Sequence, residues 1–440
     1  MDEGITRRDF LKQGAGAAGL ALGVAALNAF PSRVFGANER IRVGIVGPGG
    51  RGNDLMREFC QFSKELNMDL VASCDIWNQA RERGAAMIKE KTGQEAIQCR
   101  NLEEICERKD IDALIIATAD FQHAAHLAYA VRAGKDVYVE KPLANNLAHA
   151  KEALRAVKET KRVVQIGTQR RSEGSWPAAA EFIASGALGK VSYIEQAWNY
   201  FGPRWRRGNV ENEIKEADTD WKRFLMDKPY RPWNPHYYRE FRLYWPFSSG
   251  IPCQWLSHTI DAIQWVMNQP FPRSVVAHGG VYVWQDGREN ADTFQVLLDY
   301  PGDFLVSYST RFGNEASSEG PIIYGTNGCL DVDSLTVTGD GGGGAVTITK
   351  NAREPHIIAI DSSKRIKETL TLEPHESTPH MRNWMECLRS RETPNANIDT
   401  GYSHSMAVIM AIEALHTGRR VYFDPAKHTI SPTPPPGVRA

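Results

Sequence analysis

The stretch Ile41–Gly52, IRVGIVGPGGRG, constrains this chain more than any other. It reads as a short buried strand running into a glycine-rich turn and then a helix. Gly47, Gly49 and Gly52 fit the spacing G-x-G-x-x-G. There the first glycine makes the tight turn, the second admits a pyrophosphate, and the third lets helix and strand pack closely. The opening amides of the helix then face the phosphates, helped by the helix dipole. The plain alternative is a strand–turn–helix with no ligand. Two neighbours favour the nucleotide. Asp54–Leu66 reads as an amphipathic helix, with Leu55, Phe59, Phe62 and Leu66 at helical spacing. A second strand, Asp69–Cys74, then ends at Asp75. That is about 20 residues past the last glycine, where a carboxylate can hold the ribose hydroxyls of NAD. Ile76 follows, with no adjacent arginine or serine for a 2′-phosphate, so NAD is favoured over NADP.

The alternation continues. Ile111–Thr118 is a continuous apolar run, the pattern of a parallel strand covered on both faces. Phe121–Ala133 reads as a helix, Asp136–Glu140 as a strand, Leu147–Lys158 as a helix and Val163–Gly167 as a strand. Residues 38–167 therefore read as a doubly wound α/β domain. The rhythm then changes, and residues 168–377 read as a second, α+β domain. Its predicted strands are Lys190–Trp198, Arg273–Trp284, Thr293–Tyr300, Phe304–Phe312, Pro321–Tyr324, Cys329–Asp333, Ser334–Thr338 and Ala345–Thr349, in a mostly antiparallel sheet. Residues 378–440 read as helices that pack back on the core, followed by an extended proline-rich tail. Between 198 and 255 there is no clear periodicity. This eighth of the chain nonetheless holds more than a third of the aromatic residues. A long irregular segment of that kind inside an enzyme is usually functional. Most of its rings are expected to glue the segment to its sheet, and a few to line a cleft.

A formal charge of −1 gives no reason to expect a nucleic-acid partner. Seven scattered cysteines, with no C-x-x-C pair, indicate neither a disulfide framework nor a zinc knuckle, and no metal site is read. Residues 1–37 read as a targeting segment outside the fold. Thr6–Lys12, TRRDFLK, matches the twin-arginine export pattern, and a Gly/Ala-rich run follows. That run is too short and too weakly apolar for a stable membrane anchor. A periplasmic location is expected. The twin-arginine route carries folded proteins, so a nucleotide could be loaded before export.

Two further places carry chemistry. Glu140-Lys141-Pro142 closes a strand at the lip where a nicotinamide would lie, and a lysine there can stabilise a developing alkoxide. His258 is read as opening a helix after an irregular run, and an imidazole suits a proton transfer near neutral pH. Alone, Glu140-Lys141-Pro142 is equally well read as a surface Lys-Pro loop, and a lone histidine such as His258 is more often structural.

From Ile41 to the helices near Gly418 the sequence resembles the glucose–fructose oxidoreductase / inositol dehydrogenase / MocA family. The resemblance rests on GIVGPGGRG, on ATADFQHAAHLAYAVRAGKDVYVEKPLA, on QIGTQRRS, on SGIPCQWLSHTIDAIQWV and on HMRNWMECLRSRETPNANIDTGYSHS. It implies a Rossmann domain followed by an α+β domain with a large open sheet that meets a partner subunit. Lys141 and His258 would be catalytic. Gly47, Gly49, Gly50, Gly52 and Asp75 would bind the nucleotide. Thr118, His123, Glu140, Lys141 and Gln169 would surround its nicotinamide end. Arg170, Arg171, Gln254 and Asp261 would belong to the sugar pocket. The proline of Glu-Lys-Pro would be cis. Gln254 departs from the aspartate many members carry four residues before the histidine. A glutamine can orient an imidazole but cannot stabilise its protonated form. The resulting expectation is an exported NAD(P)-dependent oxidoreductase acting on a sugar or sugar derivative. An NAD-dependent glycoside hydrolase and a non-catalytic sugar-binding relative are the alternatives.

Overall fold

The structure, a computed structural model, describes residues 39–317, 319–349 and 357–438. The expected twin-arginine segment and its export role lie outside them.

Strands β1 (Ile41–Val46), β2 (Met68–Cys74), β3 (Ile97–Cys99), β4 (Ala113–Ile116), β5 (Asp136–Val139) and β6 (Val164–Ile166) form one sheet. Its order is β3-β2-β1-β4-β5-β6 and every neighbouring pair is parallel. Parallel neighbours need crossovers, which the helices Gly50–Phe62, Asn78–Thr92, His123–Arg132 and Leu147–Thr160 help supply. The apolar runs that read as doubly covered strands are buried: Ile45, Leu114, Ile115 and Val139 have no exposed surface. The strand order turns between β1 and β4. A crevice opens beyond the carboxyl ends of such strands, where ligands bind in open α/β sheets.

The first helix starts at Gly50, not Asp54, because the glycine turn coils directly into it. It ends at Phe62 rather than Leu66, giving way to turns in which Leu66 still donates to the Phe62 carbonyl.

The second sheet draws on β7 (Val191–Ala197), β8 (Ser274–Gly280), β9 (Thr293–Tyr300), β10 (Phe304–Arg311), β11 (Glu319–Gly325), β12 (Gly328–Asp331) and β13 (Thr336–Thr338). The segment Ala345–Thr349 (β14) does not join it. Among the described residues it pairs only with Ile357–Asp361 (β15), a strand not foreseen from sequence. Leu370–Thr371 (β16), Val421–Asp424 (β17) and Thr429–Ser431 (β18) complete the ten strands, in the order β16-β13-β12-β11-β7-β10-β9-β8-β17-β18. These three are too short to show a period. The sheet is antiparallel except where β10 runs parallel to β7. Alternate residues of β9 and β10 are buried, so one face carries the core.

The helix Ile398–Thr417 packs against β6, β8 and the helix Leu147–Thr160. It ties the second sheet to the first: the amides of Leu143 and Ala144 donate to His404 Nε2 and Ser405 Oγ at 3.3 and 3.2 Å. The helix His380–Ser390 lies against Gly50–Phe62. The irregular segment holds only short helices, including Val210–Glu213, Trp221–Leu225 and Pro235–Arg239. No helix among the described residues is long and apolar enough to cross a membrane.

Candidate active site

The loop after β1 is built by its glycines. Gly47 has φ +84°, and a Cβ there would lie 2.7 Å from the Ala117 carbonyl oxygen. On Gly52 a Cβ would run into the Gly47 carbonyl, so the helix can approach only because that atom is missing. Gly49 and Gly50 line a cavity and leave open space where a side chain would be. The helix has no side-chain cap and no acid in its first turn. Its first amides thus point at the cavity without protein acceptors, which is what a diphosphate requires. Asp75, one residue past β2, also lines the cavity. Its Oδ1 accepts from the Trp77 amide at 2.8 Å and from the Tyr238 hydroxyl at 3.2 Å, while Oδ2 has no partner among the described residues. Burial pushes this carboxyl up to about 6. A glycine cradle, free helix amides and an open carboxylate oxygen lining one cavity fit a dinucleotide.

The cavity is about 1410 Å³, larger than a single small-ligand pocket. Thr118, His123, Glu140, Lys141, Gln169, Gln254 and His258 line its other end. Glu140 accepts from Arg51 Nε at 2.8 Å, from the Lys141 amide at 3.2 Å and from Gln169 Nε2 at 3.3 Å. His123 is a strut: its ring nitrogens lie 2.8 Å from the Pro142 carbonyl and 3.1 Å from the Thr118 carbonyl. It joins the loop after β4 to the loop after β5. Thr118 Oγ1 lies 3.2 Å from His126 Nδ1. The Lys141–Pro142 peptide is cis.

Lys141 Nζ donates to the Gln254 carbonyl at 2.7 Å. Burial lowers its pKa, against the opposing pull of Asp120 and Glu140. His258 is pushed well below the usual imidazole range by burial and by the Lys141 charge, so the ring is neutral. Neither of its nitrogens has a hydrogen-bond partner among the described residues. His258 also does not open its helix. A π-turn, Pro252–Leu256, runs continuously into Ser257–Val266. Turns of this kind often occur at functional sites.

Three placements expected from the sequence change. Gln254 does not orient His258. Its Oε1 accepts from Arg242 Nε at 2.8 Å and its Nε2 donates to Asp120 Oδ2 at 2.6 Å. Arg171 and Asp261 do not line the cavity. They form a buried ion pair at 2.8 Å, with His404 Nδ1 3.5 Å from Asp261. Asp261 sits on the flank of its helix turned towards Ile398–Thr417, not towards the cleft. Arg170 is set back by one ring, 5.4 Å over Trp176 and 5.5 Å over Trp198, and only Trp198 reaches the cavity.

Other cavity residues went unnoticed in the sequence. Arg51 hides inside the glycine motif, and Asp120 lies two residues after Thr118. Arg204, Arg207 and Arg242 come from the irregular segment. The interleaving of arginine with aromatics there, RWRRG and FRLYW, was the available signal. Of that segment's rings, Trp198, Trp205, Phe224, Tyr238, Phe241 and Trp255 line the cavity. Trp221, Phe247, Leu243 and Tyr244 are buried in a cluster with Phe121.

Comparison with known proteins agrees with this geometry. Residues 41–168 match the model of the GFO_IDH_MocA oxidoreductase family, NAD-binding Rossmann fold, and residues 180–423 match its C-terminal alpha/beta domain. An inositol 2-dehydrogenase of Gluconacetobacter diazotrophicus is 25% identical over 43% of this chain and 55% of its own. A glycosyl hydrolase family 109 protein of Shewanella baltica is 25% identical over 49% of this chain and 50% of its own. The chain thus spans about half the length of these two relatives. The WlbA dehydrogenase from Bordetella pertussis, solved with NADH and UDP-GlcNAcA, superposes with a TM-score of 0.62 at 18% identity, over 88% of this chain and 99% of that one. With matches across both sheets and a cleft built to hold a dinucleotide, the chain belongs to the glucose–fructose oxidoreductase / inositol dehydrogenase / MocA family and carries its NAD-binding Rossmann domain.

Proposed function

We propose that this protein is an NAD-dependent oxidoreductase acting on a CH–OH group of a sugar or sugar derivative. The observation that carries the reading is the convergence of Lys141 and His258 on the cavity that the glycine loop and Asp75 also line. Bound NAD would supply the hydride acceptor. Gly49, Gly50 and the helix amides would hold its phosphates, Asp75 its ribose, and Thr118, Glu140 and Gln169 its nicotinamide end. His258, neutral and with both ring nitrogens disengaged, takes the substrate hydroxyl proton. Lys141 is fixed by the Gln254 carbonyl and donates to the oxygen on which charge develops. No carboxylate pairs with His258, so the base is a weak one and Lys141 bears more of the charge stabilisation. Reduction of nicotinamide by a panel of sugars, lost in Lys141→Ala and in His258→Ala while NAD still binds, is the test. Unchanged turnover in Lys141→Ala would refute the reading.

The match to a glycosyl hydrolase family 109 protein favours a second reading, hydrolysis of a glycoside with NAD returned unchanged. Aryl glycosides separate the two: release of the aglycone supports hydrolysis, and accumulation of a keto sugar supports dehydrogenation.

Export by the twin-arginine route to the periplasm, as a homo-oligomer meeting through the open face of the large sheet, completes the proposal. Outside the cytoplasm no nucleotide pool exists, so the cofactor would have to remain bound between turnovers. Protein purified from the periplasm should release NAD on denaturation. Cytoplasmic retention of the full chain, or purified protein free of nucleotide, would refute this part.

A further inference from the structure

The irregular segment contains two kinds of arginine. Arg206, Arg223, Arg231 and Arg239 are ion-paired, to Glu240 and Asp286, to Glu103, to Glu289 and to Glu213 respectively. Arg204, Arg207 and Arg242 have no carboxylate within ion-pair distance among the described residues, and all three line the cavity. Among the described residues the guanidinium of Arg204 is held only by rings, 5.0 Å over Tyr200 and 5.8 Å over Trp255. Arg242 lies 4.4 Å over Phe241 and spends Nε on the Gln254 side-chain oxygen. Its two terminal amino groups make no hydrogen bond to the described residues. The Arg207 side chain makes none either.

These charges are close enough to disturb one another. Burial lowers the pKa of Arg242; the charge of Asp120 opposes this and those of Arg207 and Arg204 add to it, while Arg242 in turn lowers the pKa of Lys141. Two carboxylates stand nearby, and neither ion-pairs with these arginines. Asp120 accepts from Ser248 and Gln254 through one oxygen, and Glu140 is taken by Arg51. With Lys141, four cations thus face the reacting end against Asp120 and a Glu140 already paired with Arg51, so positive charge is in excess there. Gathering more cations than acids costs stability, and a bound anion removes part of that cost.

We infer that the substrate carries an anionic substituent, a carboxylate or phosphate on the sugar, which docks on Arg204, Arg207 and Arg242. The inference rests on the sugar-oxidoreductase reading above and narrows its substrate. Guanidinium forks suit carboxylate and phosphate oxygens because they donate in pairs. Gln254 sets the spacing. Its side-chain oxygen holds Arg242, and its backbone oxygen holds the Lys141 ammonium. One residue thus fixes both the anion anchor and the group beside the reacting hydroxyl. A neutral amide at this position holds the guanidinium without neutralising it, which a carboxylate could not do.

The test uses the NAD-loaded protein and matched probes: D-glucuronate, D-galacturonate and D-glucose 6-phosphate against D-glucose and D-galactose. Trp198, Trp205 and Trp255 line the cavity, so binding is read as a change in tryptophan fluorescence and turnover as reduction of nicotinamide. At least one acidic probe should bind about tenfold or more tightly than its neutral parent. Added salt should weaken that preference. Arg204→Ala combined with Arg207→Ala, both at exposed positions and safe for folding, should remove most of it. Arg242→Gln should do the same. Preference between the uronates and the phosphate identifies the substituent. Equal binding of acidic and neutral probes would overturn the inference and leave the dehydrogenase reading intact. Loss of NAD affinity in the arginine variants, with no change in sugar preference, would also overturn it, by assigning these side chains to the dinucleotide. Arginine-dependent binding of an acidic probe without nicotinamide reduction would uphold the anion site and refute the dehydrogenase reading.

Discussion

The two walls of the cleft are built by different means. The wall formed by β1, β2, β4 and β5 is set by backbone: a glycine at φ +84°, a helix start without a cap, strands buried on both faces. The opposite wall, residues 198–255, has little regular structure and is set by side chains. Trp221 stacks on Phe224 at 5.2 Å, Phe121 meets Phe224 and Phe247 at 5.4 Å each, and Arg231 lies 4.2 Å over Tyr237. In the proposed reading the backbone wall holds the cofactor, whose shape does not vary. The side-chain wall supplies Arg204, Arg207, Arg242 and most of the rings that line the cavity. A fold can change its substrate by rebuilding the second wall and leaving the first alone.

The largest expected effect falls on chemistry at the backbone wall. Lys141→Ala should lower hydride transfer by about 10²–10⁴-fold while NAD affinity stays near that of the parent, measured by single-turnover kinetics and nucleotide titration. Next comes the side-chain wall. Phe247 is fully buried among aromatics, so Phe247→Ala should cost about 3–5 kcal/mol in denaturant unfolding. If that wall were only a loose flap, the same substitution would leave stability unchanged. Of similar size is Asp261→Ala, which strands buried Arg171 beside His404 and should cost about 3–5 kcal/mol. Because this pair lies away from the cavity, the variant's KM for sugar should hold; a large rise in KM would return Asp261 to the substrate pocket.

Much of the backbone wall was readable from the sequence. Glycine spacing, the acid after the second strand and the Glu-Lys-Pro lip are local patterns tied to local geometry. The side-chain wall was not. Nothing about Asp120, two residues past Thr118, says that it will meet Gln254 from a segment more than a hundred residues later. Arg171 and Asp261 carried polar character and a motif position, yet they pair with each other in the core. Short strands such as Val421–Asp424 have no period to read, since their place comes from the sheet they join.

The smallest effects are those of pH. With its carboxyl raised to about 6, Asp75 is ionised above that value and protonated below it. NAD affinity should therefore fall by about tenfold for each pH unit below 6, and Asp75→Asn should be weaker throughout and flat with pH. His258 moves the other way, its pKa held below the ordinary imidazole range, so the base form survives acidification. At saturating NAD, kcat should persist to a lower pH than a free imidazole would allow.

The most direct measurement is a crystal structure of the protein with NAD bound. Density for the diphosphate against Gly49 and Gly50, with the nicotinamide ring between Lys141 Nζ and the His258 imidazole, is the expected result. A dinucleotide bound elsewhere, or one whose nicotinamide lies out of reach of both side chains, would contradict it.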